Sequence, residues 1–164
     1  MNQDERNEMI EEYGGGFDLF AAALAGGPRE AWEFKPAPGE WSVHEVIVHM
    51  ADSESIGALR LRKLVAEPGS TGDMMSYEET KWAEALDYQT QSVDDALQIF
   101  TLTRQTTYRL LKALPDPVFM HSVVHPGYDE PYTFELWLNL YNRHIPGHTA
   151  QLKKIYQAWK KQNK

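Results

Sequence analysis

Residues 39–65 contain the pattern that most constrains the fold, and they read GEWSVHEVIVHMADSESIGALRLRKLV. Ser42 is a favoured helix N-cap, and Glu45, three residues later, completes a capping box in which each side chain binds the other residue's backbone amide. Apolar residues then recur at helical intervals, at Val43, Val46, Ile47, Met50, Ile56, Leu59 and Leu64. The sequence therefore predicts a long helix from about residue 43 to 65, which ends before Pro68.

Three further segments have the length and spacing of long helices. The first extends from about Asp4 to Leu24 but is interrupted by Gly14–Gly16. Because three glycines cost roughly 3 kcal/mol of helix propensity relative to alanine, we expect a kink or a break there. The second segment, Ser92–Pro115, begins after its serine cap and ends before the proline. The third is capped by Thr133 and extends over Phe134–Lys161.

The segments between these helices are shorter or irregular. Ser76 and Glu79 predict a second capping box, which opens a shorter helix through about Leu86. Residues 67–75 are predicted to form a loop, and residues 118–132 an irregular or briefly extended connection. The pattern favours an all-α fold, a four-helix bundle in which residues 1–164 form one domain.

Composition excludes several classes of function. The chain has no cysteine, so disulfides, thiolate metal ligands and a cysteine nucleophile are excluded, and a cytoplasmic location is expected. The formal net charge of -8 argues against nucleic-acid binding. No apolar run approaches the ~20 residues of a membrane span, so no membrane partner is expected. Motifs for phosphate loops, dinucleotide sites, HExxH metalloproteases and GxSxG hydrolases are also missing.

Two histidines near the end of the chain, His144 and His148, lie four residues apart. On a helix their side chains would be neighbours, about 6 Å apart at Cβ, and could bind one metal ion together. Pro146 lies between them, lacks the amide that would bind the Asn142 carbonyl, and costs about 3 kcal/mol inside a helix. The helix therefore either breaks here, or kinks while the freed carbonyl finds another partner. In a loop, the two histidines would be close only by chance.

A third ligand must come from a facing helix, and His49 lies at the edge of the apolar stripe of the second helix. Three neutral histidines leave coordination positions open for water or substrate, as catalytic metal sites do. The alternative is that His49 is a hydrogen-bonded core residue and that His144 and His148 are surface histidines.

The remaining histidines fit other roles. His121 and His125 lie in a segment that favours extended structure, where their side chains would be roughly 13 Å apart and too distant for one ion. His44 is expected to be a solvated residue of the first helical turn. Four charged residues could act near a metal, although the simpler interpretation of each is a solvated or ion-paired position: Asp52, Glu54, Arg60 and Arg143.

Two segments, PAPGEWSVHEVIVHMADSE (36–54) and RHIPGHTAQL (143–152), resemble the signatures of the DinB/YfiT-like superfamily. The resemblance extends over the chain, but only these two segments are specific. It implies an up-down-down-up four-helix bundle and a divalent metal ion held by His49, His144 and His148. Gln151 matches the glutamine that follows the family's last histidine. The Ile-Pro-Gly between the last two histidines departs from the family's usual helix-forming residues.

The resemblance also implies a class of function. The better understood relatives are thiol-dependent transferases and isomerases, and others are described as metal-dependent hydrolases. The expected cofactor is zinc or nickel, and the expected substrate is a small molecule. A transferase would take its thiol from a low-molecular-weight cosubstrate, because the chain has no cysteine. A hydrolase would need a general base, for which Asp52 and Glu54 are the candidates.

Two non-enzymatic alternatives stay open. The histidines could hold the helices together in a metal-stabilised bundle that acts as a binding or stress-associated protein, or the bundle could bind no metal. A homodimer that forms through a helix face is expected from the resemblance and from the aromatic content.

Overall fold

The structure is a computed structural model that describes residues 1–71, 74–125 and 129–163. Its α-helices are, in chain order, α1 (Gln3–Leu24), α2 (Val43–Ala66), α3 (Glu79–Ala85), α4 (Val93–Ala113) and α5 (Phe134–Gln162). Two short strands, β1 (Ser122–Val123) and β2 (Tyr132–Thr133), pair antiparallel. The predicted loop and the predicted extended connection lie partly outside the described residues, at 72–73 and 126–128.

Side-chain caps explain where three of the long helices begin. At α2, Ser42 Oγ accepts a bond from the Glu45 amide at 3.2 Å, and the Ser42 amide donates to Glu45 Oε2 at 2.8 Å. Ser92 caps α4, and Thr133 caps α5 through its hydroxyl, which accepts from the Leu136 amide at 3.1 Å. The three predicted starts are confirmed.

The predicted capping box at Ser76 and Glu79 is wrong. Helix α3 begins two residues later than expected, after Glu78, whose side chain makes no capping bond. The Arg60 guanidinium binds the preceding loop, donating to the carbonyls of Met74 at 2.7 Å and Met75 at 2.8 Å. These bonds fasten the loop to α2 as far as Met75, which is in the left-handed region at φ 56°, and the helix starts only after the chain has left this contact.

Helices α1 and α5 run parallel. Asn142 Nδ2 donates to the Met9 carbonyl at 2.9 Å, and the Tyr156 hydroxyl donates to the Leu24 carbonyl at 3.0 Å. Residue numbers increase together along both helices, which requires the same direction. This pair packs together at least as extensively as any other pair of helices in the described part of the chain.

Helices α2 and α4 are the second parallel pair. His44, at the start of α2, bonds to the Gln91 carbonyl just before α4, and Glu54 further along α2 bonds to Arg104. Helix α5 crosses α2 in the opposite direction, since Trp137 near the start of α5 donates to the Gly57 carbonyl late in α2 at 2.8 Å. The bundle is therefore up-down-down-up, as the resemblance implied.

Helix α1 is continuous through its glycines, so the expected break at Gly14–Gly16 is wrong. The cause is the close approach of α4. A Cβ on Gly16 would lie 2.4 Å from the Arg104 guanidinium, and a Cβ on Gly14 would lie 2.8 Å from the Tyr108 ring. The glycines admit these α4 side chains, and the packing that results offsets their low helix propensity.

Replacing Gly16 with alanine should lower the free energy of unfolding by about 1–3 kcal/mol, because the new methyl group displaces the buried Arg104 guanidinium. Gly15→Ala is the matched control. A Cβ there meets nothing within 4 Å, so this variant should be more stable by about 0.5–1 kcal/mol. Urea denaturation of both variants measures the difference, and equal stabilities would contradict this account of the glycines.

No helix in the described part of the chain is both long enough and apolar enough to cross a membrane.

Candidate metal centre

Three histidine side chains from two helices converge between α2 and α5. His144 Nε2 lies 3.1 Å from His49 Nε2 and 3.0 Å from His148 Nε2. Within the described residues, these three form a group in which one ring nitrogen from each histidine lies within 4.8 Å of those of the other two. The structure thus brings together the three residues that the sequence singled out.

Helix α5 positions two of the three, and it does so without a break at Pro146. His144 and His148 lie one turn apart on the same face, while Pro146 and Gly147 are exposed. Pro146 lies on the exposed face of α5, and the buried residues on either side of it, Asn142, Ile145 and Thr149, provide packing that offsets the lost hydrogen bond. The alternatives of a broken helix and of a loop are wrong.

Gln151 holds the ring of His148 in one orientation. Its Oε1 lies 2.8 Å from His148 Nδ1, and because an amide oxygen only accepts, the proton of the neutral ring is on Nδ1. The lone pair of His148 Nε2 therefore faces the other two imidazoles. Polar partners of this kind fix the tautomer of metal-binding histidines. The sequence had marked Gln151 without giving it a role.

Burial keeps the three imidazoles neutral. It lowers the pKa of His49 to about 3, with a smaller contribution from the charge of His148. Burial also lowers the pKa of His144 well below its usual value, assisted by the charges of the other two histidines and of Arg104. The pKa of His148 is lowered by burial and raised in part by the bond to Gln151. The neutral form is the one that binds metal ions.

The arrangement fits a divalent metal ion better than a set of hydrogen bonds. His144 Nε2 faces two other Nε2 atoms, but one ring nitrogen either donates or accepts and cannot do both. Zinc–imidazole bonds of about 2.1 Å, at angles of roughly 90–109°, place adjacent nitrogens about 3.0–3.4 Å apart. Both Nε2–Nε2 distances of His144 lie in that range. His49 Nδ1 is buried with no hydrogen-bond partner among the described residues.

Two cavities border the histidines. The larger, of about 580 Å³, is lined by Trp41, Glu79, His148, Gln151, Lys154 and Ile155, among others. The smaller, of about 270 Å³, is lined by Ser53, Tyr77, Glu79, Tyr141 and His144, among others. The cluster is therefore reachable from two sides, unlike a closed structural zinc site.

Glu79 is the carboxylate nearest the centre, and it lines both cavities. Its Oε1 lies 3.9 Å from His49 Nε2, and burial raises its pKa. The position of Glu79 beside the histidines was not predicted, because Glu79 was expected to be part of a helix cap. No periodicity could have revealed it, since Glu79 comes from α3, which packs onto the bundle through tertiary contacts.

Glu54, one of the two acidic candidates, is part of a buried structural network. Its side chain is 2% exposed, its Oε2 accepts from Arg104 Nη1 at 2.7 Å, and its Oε1 accepts from the Tyr13 hydroxyl. Arg104 Nε also donates to the Tyr13 carbonyl at 2.7 Å. Because both oxygens of Glu54 are bonded, this placement argues against Glu54 as a general base.

Asp52, the other acidic candidate, faces a different cavity. Its Oδ2 accepts from the Tyr88 hydroxyl at 2.5 Å. It lines a pocket with Gln91 and Asp95 that includes none of the three histidines. Asp52 is therefore no better placed than Glu54 to act on a substrate at the centre.

His44 is buried, so the expectation of a solvated residue is wrong. Its Nδ1 lies 2.8 Å from Glu33 Oε1, and its Nε2 lies 2.8 Å from the Gln91 carbonyl. The side chain joins the start of α2 to the segments that precede α2 and α4. These partners are 11 and 47 residues away, which is why a local reading could not find them.

The remaining candidates lie apart from the centre or at its edge. His121 Nδ1 lies 3.2 Å from the Leu64 carbonyl, and His125 is buried with its ring 5.3 Å from that of Tyr132. Arg60 and His125 both line the smaller cavity, while Arg143 is exposed.

Three proteins named as candidate metal-dependent hydrolases resemble this chain. YfiT of Bacillus subtilis (strain 168) is 29% identical over 117 residues, which cover 71% of this chain and 65% of that protein. A Bacillus licheniformis protein is 28% identical over 115 residues, covering 70% and 64%. A Geobacillus thermodenitrificans (strain NG80-2) protein is 24% identical over 138 residues, covering 84% and 76%. The matched region thus spans slightly less than two thirds of the first two relatives.

The solved structure of YfiT from Bacillus subtilis, described as having an unusual four-helix bundle topology, resembles this fold closely. The TM-score is 0.83 at 22% identity, and the likeness covers 96% of this chain and 89% of that chain. The sequence model of the DinB superfamily matches residues 15–152. Because that match includes both the α2 histidine and the α5 pair, the chain belongs to the DinB superfamily.

Proposed function

We propose that this protein is a metal-dependent enzyme that hydrolyses a small-molecule substrate at the three-histidine centre. The observation that carries the proposal is the convergence of three neutral imidazole Nε2 atoms beside two open cavities. When bound, a divalent ion such as zinc or nickel supplies a Lewis acid that polarises the bond to be broken. The names of the relatives support the hydrolytic version.

In this proposal, different residues of the chain bind the ion, accept a proton and limit access of water. His49, His144 and His148 hold the ion, and Gln151 keeps His148 in the tautomer that can ligate. Glu79 takes the proton from the attacking water, since its carboxylate lies at the centre and its pKa is raised toward the range of a general base. Trp41, whose ring centroid is 5.0 Å from that of His49, covers one side of the cluster and limits access of bulk water.

Thiol transfer is the second candidate, and one observation favours it. The two cavities reach the cluster separately, one at His148 and the other at His144. Such an arrangement can hold a thiol and an electrophile on two sides of one ion. The thiol would have to be a small-molecule cosubstrate, because the chain has no cysteine.

One experiment tests both candidates. Metal-free protein is reconstituted with zinc or nickel and assayed with a panel of 4-nitrophenyl esters and anilides, then with small thiols and 1-chloro-2,4-dinitrobenzene. Ester or anilide cleavage that needs the metal supports hydrolysis, and conjugation that needs both metal and thiol supports transfer. Stoichiometric metal binding with neither activity would favour the non-catalytic, metal-stabilised bundle.

Glu79→Gln should lower kcat for the hydrolysed substrate by about 10²–10⁴-fold, because an amide cannot accept the proton from water. Metal content should stay at the wild-type level, which separates a base from a ligand. Glu78→Gln is the matched control, since Glu78 pairs with Lys81 at 2.9 Å on the surface and lines neither cavity. An unchanged kcat in the Glu79 variant would exclude the proposed base.

A further inference from the structure

We infer that the larger cavity binds a substrate with an apolar body and an anionic end group such as a carboxylate, and that Lys154 binds this end group. The inference rests on the proposed function, because it takes the reacting end of the substrate to lie at the histidines.

Helix α5 forms one wall of the cavity and sets the distance between its two ends. His148, Gln151, Lys154 and Ile155 line it in order along the helix. From His148 to Lys154 is six residues, or about 9 Å along the axis. Side chains on a helix lean toward its N-terminus, so the Lys154 side chain leans toward His148. A substrate that reaches both would be a short, extended molecule.

Lys154 has no ion-pair partner among the described residues, although it lines a cavity together with acidic side chains. It is the one cation that lines this cavity in the described part of the chain. Lys153, the neighbouring residue, lines a different pocket together with Ala22 and Tyr156. Two adjacent lysines thus differ in their access to the centre.

The rest of the cavity wall indicates the body of the ligand. Trp41, Pro36 and Ile155 are apolar, which suits an aliphatic or aromatic chain. Two carboxylates also line the cavity, and each repels an anion from the part of the cavity where it lies. Glu79 lies at the histidine end, and Glu40 lies where the cavity meets a neighbouring pocket. These charges leave Lys154 as the position where a substrate carboxylate is stabilised.

The test compares an anionic probe with a neutral one of the same shape. 4-Phenylbutyrate and 4-phenylbutanamide are titrated into metal-free and zinc-loaded protein, and binding is followed by amide NMR shifts. Metal-free protein should prefer the carboxylate by about fivefold, because an ion pair with an exposed lysine contributes up to about 1 kcal/mol. Lys154→Met should remove this preference, Lys153→Met should keep it, and Lys154→Arg should restore most of it.

Equal binding of the two probes by wild-type protein, or a preference that survives in Lys154→Met, would overturn the inference. The metal-free measurement does not depend on catalysis, so these outcomes say nothing against hydrolysis. Conversely, zinc-loaded wild type that cleaves none of the esters and anilides would count against the proposed function, whatever the probes show at Lys154.

Discussion

Replacing any one of His49, His144 and His148 with alanine should lower the affinity for zinc or nickel by at least about 100-fold and remove metal-dependent activity. Loss of an outer partner alone typically costs about 10–100-fold, so loss of a ligand should cost more. The effect should be similar at all three positions, because each histidine supplies one of the three ligand nitrogens and two nitrogens bind an ion more weakly than three.

Elemental analysis of purified protein and competition with a chromogenic chelator measure this effect. His121→Ala is the control, since His121 bonds to a carbonyl on the far part of α2 and is not a member of the group. If all three histidine variants and the control bind metal as the wild type does, no metal centre exists at this position.

Chelator treatment should also lower the melting temperature, because bound metal stabilises the folded state by about 4 kcal/mol when its concentration is 1,000 times Kd.

Arg104→Met should lower the free energy of unfolding of the bundle by about 3–5 kcal/mol. Arg104 is 1% exposed and Glu54 is 2% exposed, and their atoms are 2.7 Å apart. Removing the guanidinium leaves a carboxylate in an apolar interior without its counter-ion, and this uncompensated charge is the source of the cost. The Tyr13 carbonyl also loses its donor.

The double variant Arg104→Met/Glu54→Gln separates the pair from simple loss of packing. Since no uncompensated charge remains, it should recover much of the stability that the single variant loses. Lys112→Met breaks an exposed pair that joins α4 to Glu11 of α1, and it should change the denaturation midpoint very little. A double variant as unstable as Arg104→Met alone would show that packing, and not charge, dominates at this position.

The helices could be predicted largely because their signals are local. The caps at Ser42, Ser92 and Thr133 lie within three residues of the amides they bind, so the sequence displays both partners. The glycines of α1 were misread for the opposite reason. Their role depends on Arg104 and Tyr108, which lie about 90 residues away in α4 and are invisible to a local reading.

The metal centre could be predicted in part. His144 and His148 are visible as a pair because one helical turn joins them, and the family signature identifies His49 as their partner. Glu79 could not be found, since its approach depends on how α3 folds back onto the bundle. Glu54 is ion-paired, which was one of its expected positions, but the sequence could not show that the pair is buried, because both of its partners lie on other helices.

The parallel direction of α2 and α4 has a consequence for how such a protein can change its chemistry. After α2 ends, the chain must return along the length of α2, roughly 36 Å, before α4 can start in the same direction. That return segment, residues 67–92, carries Glu79 to the histidines. Met74, Ala83 and Tyr88 of this segment are buried in the core, so an exchange that keeps them leaves the four long helices unaltered. In the proposed mechanism, metal binding and proton transfer thus lie in separate parts of the chain, so a new reaction could arise from changes to the other residues of the return segment on an unchanged bundle.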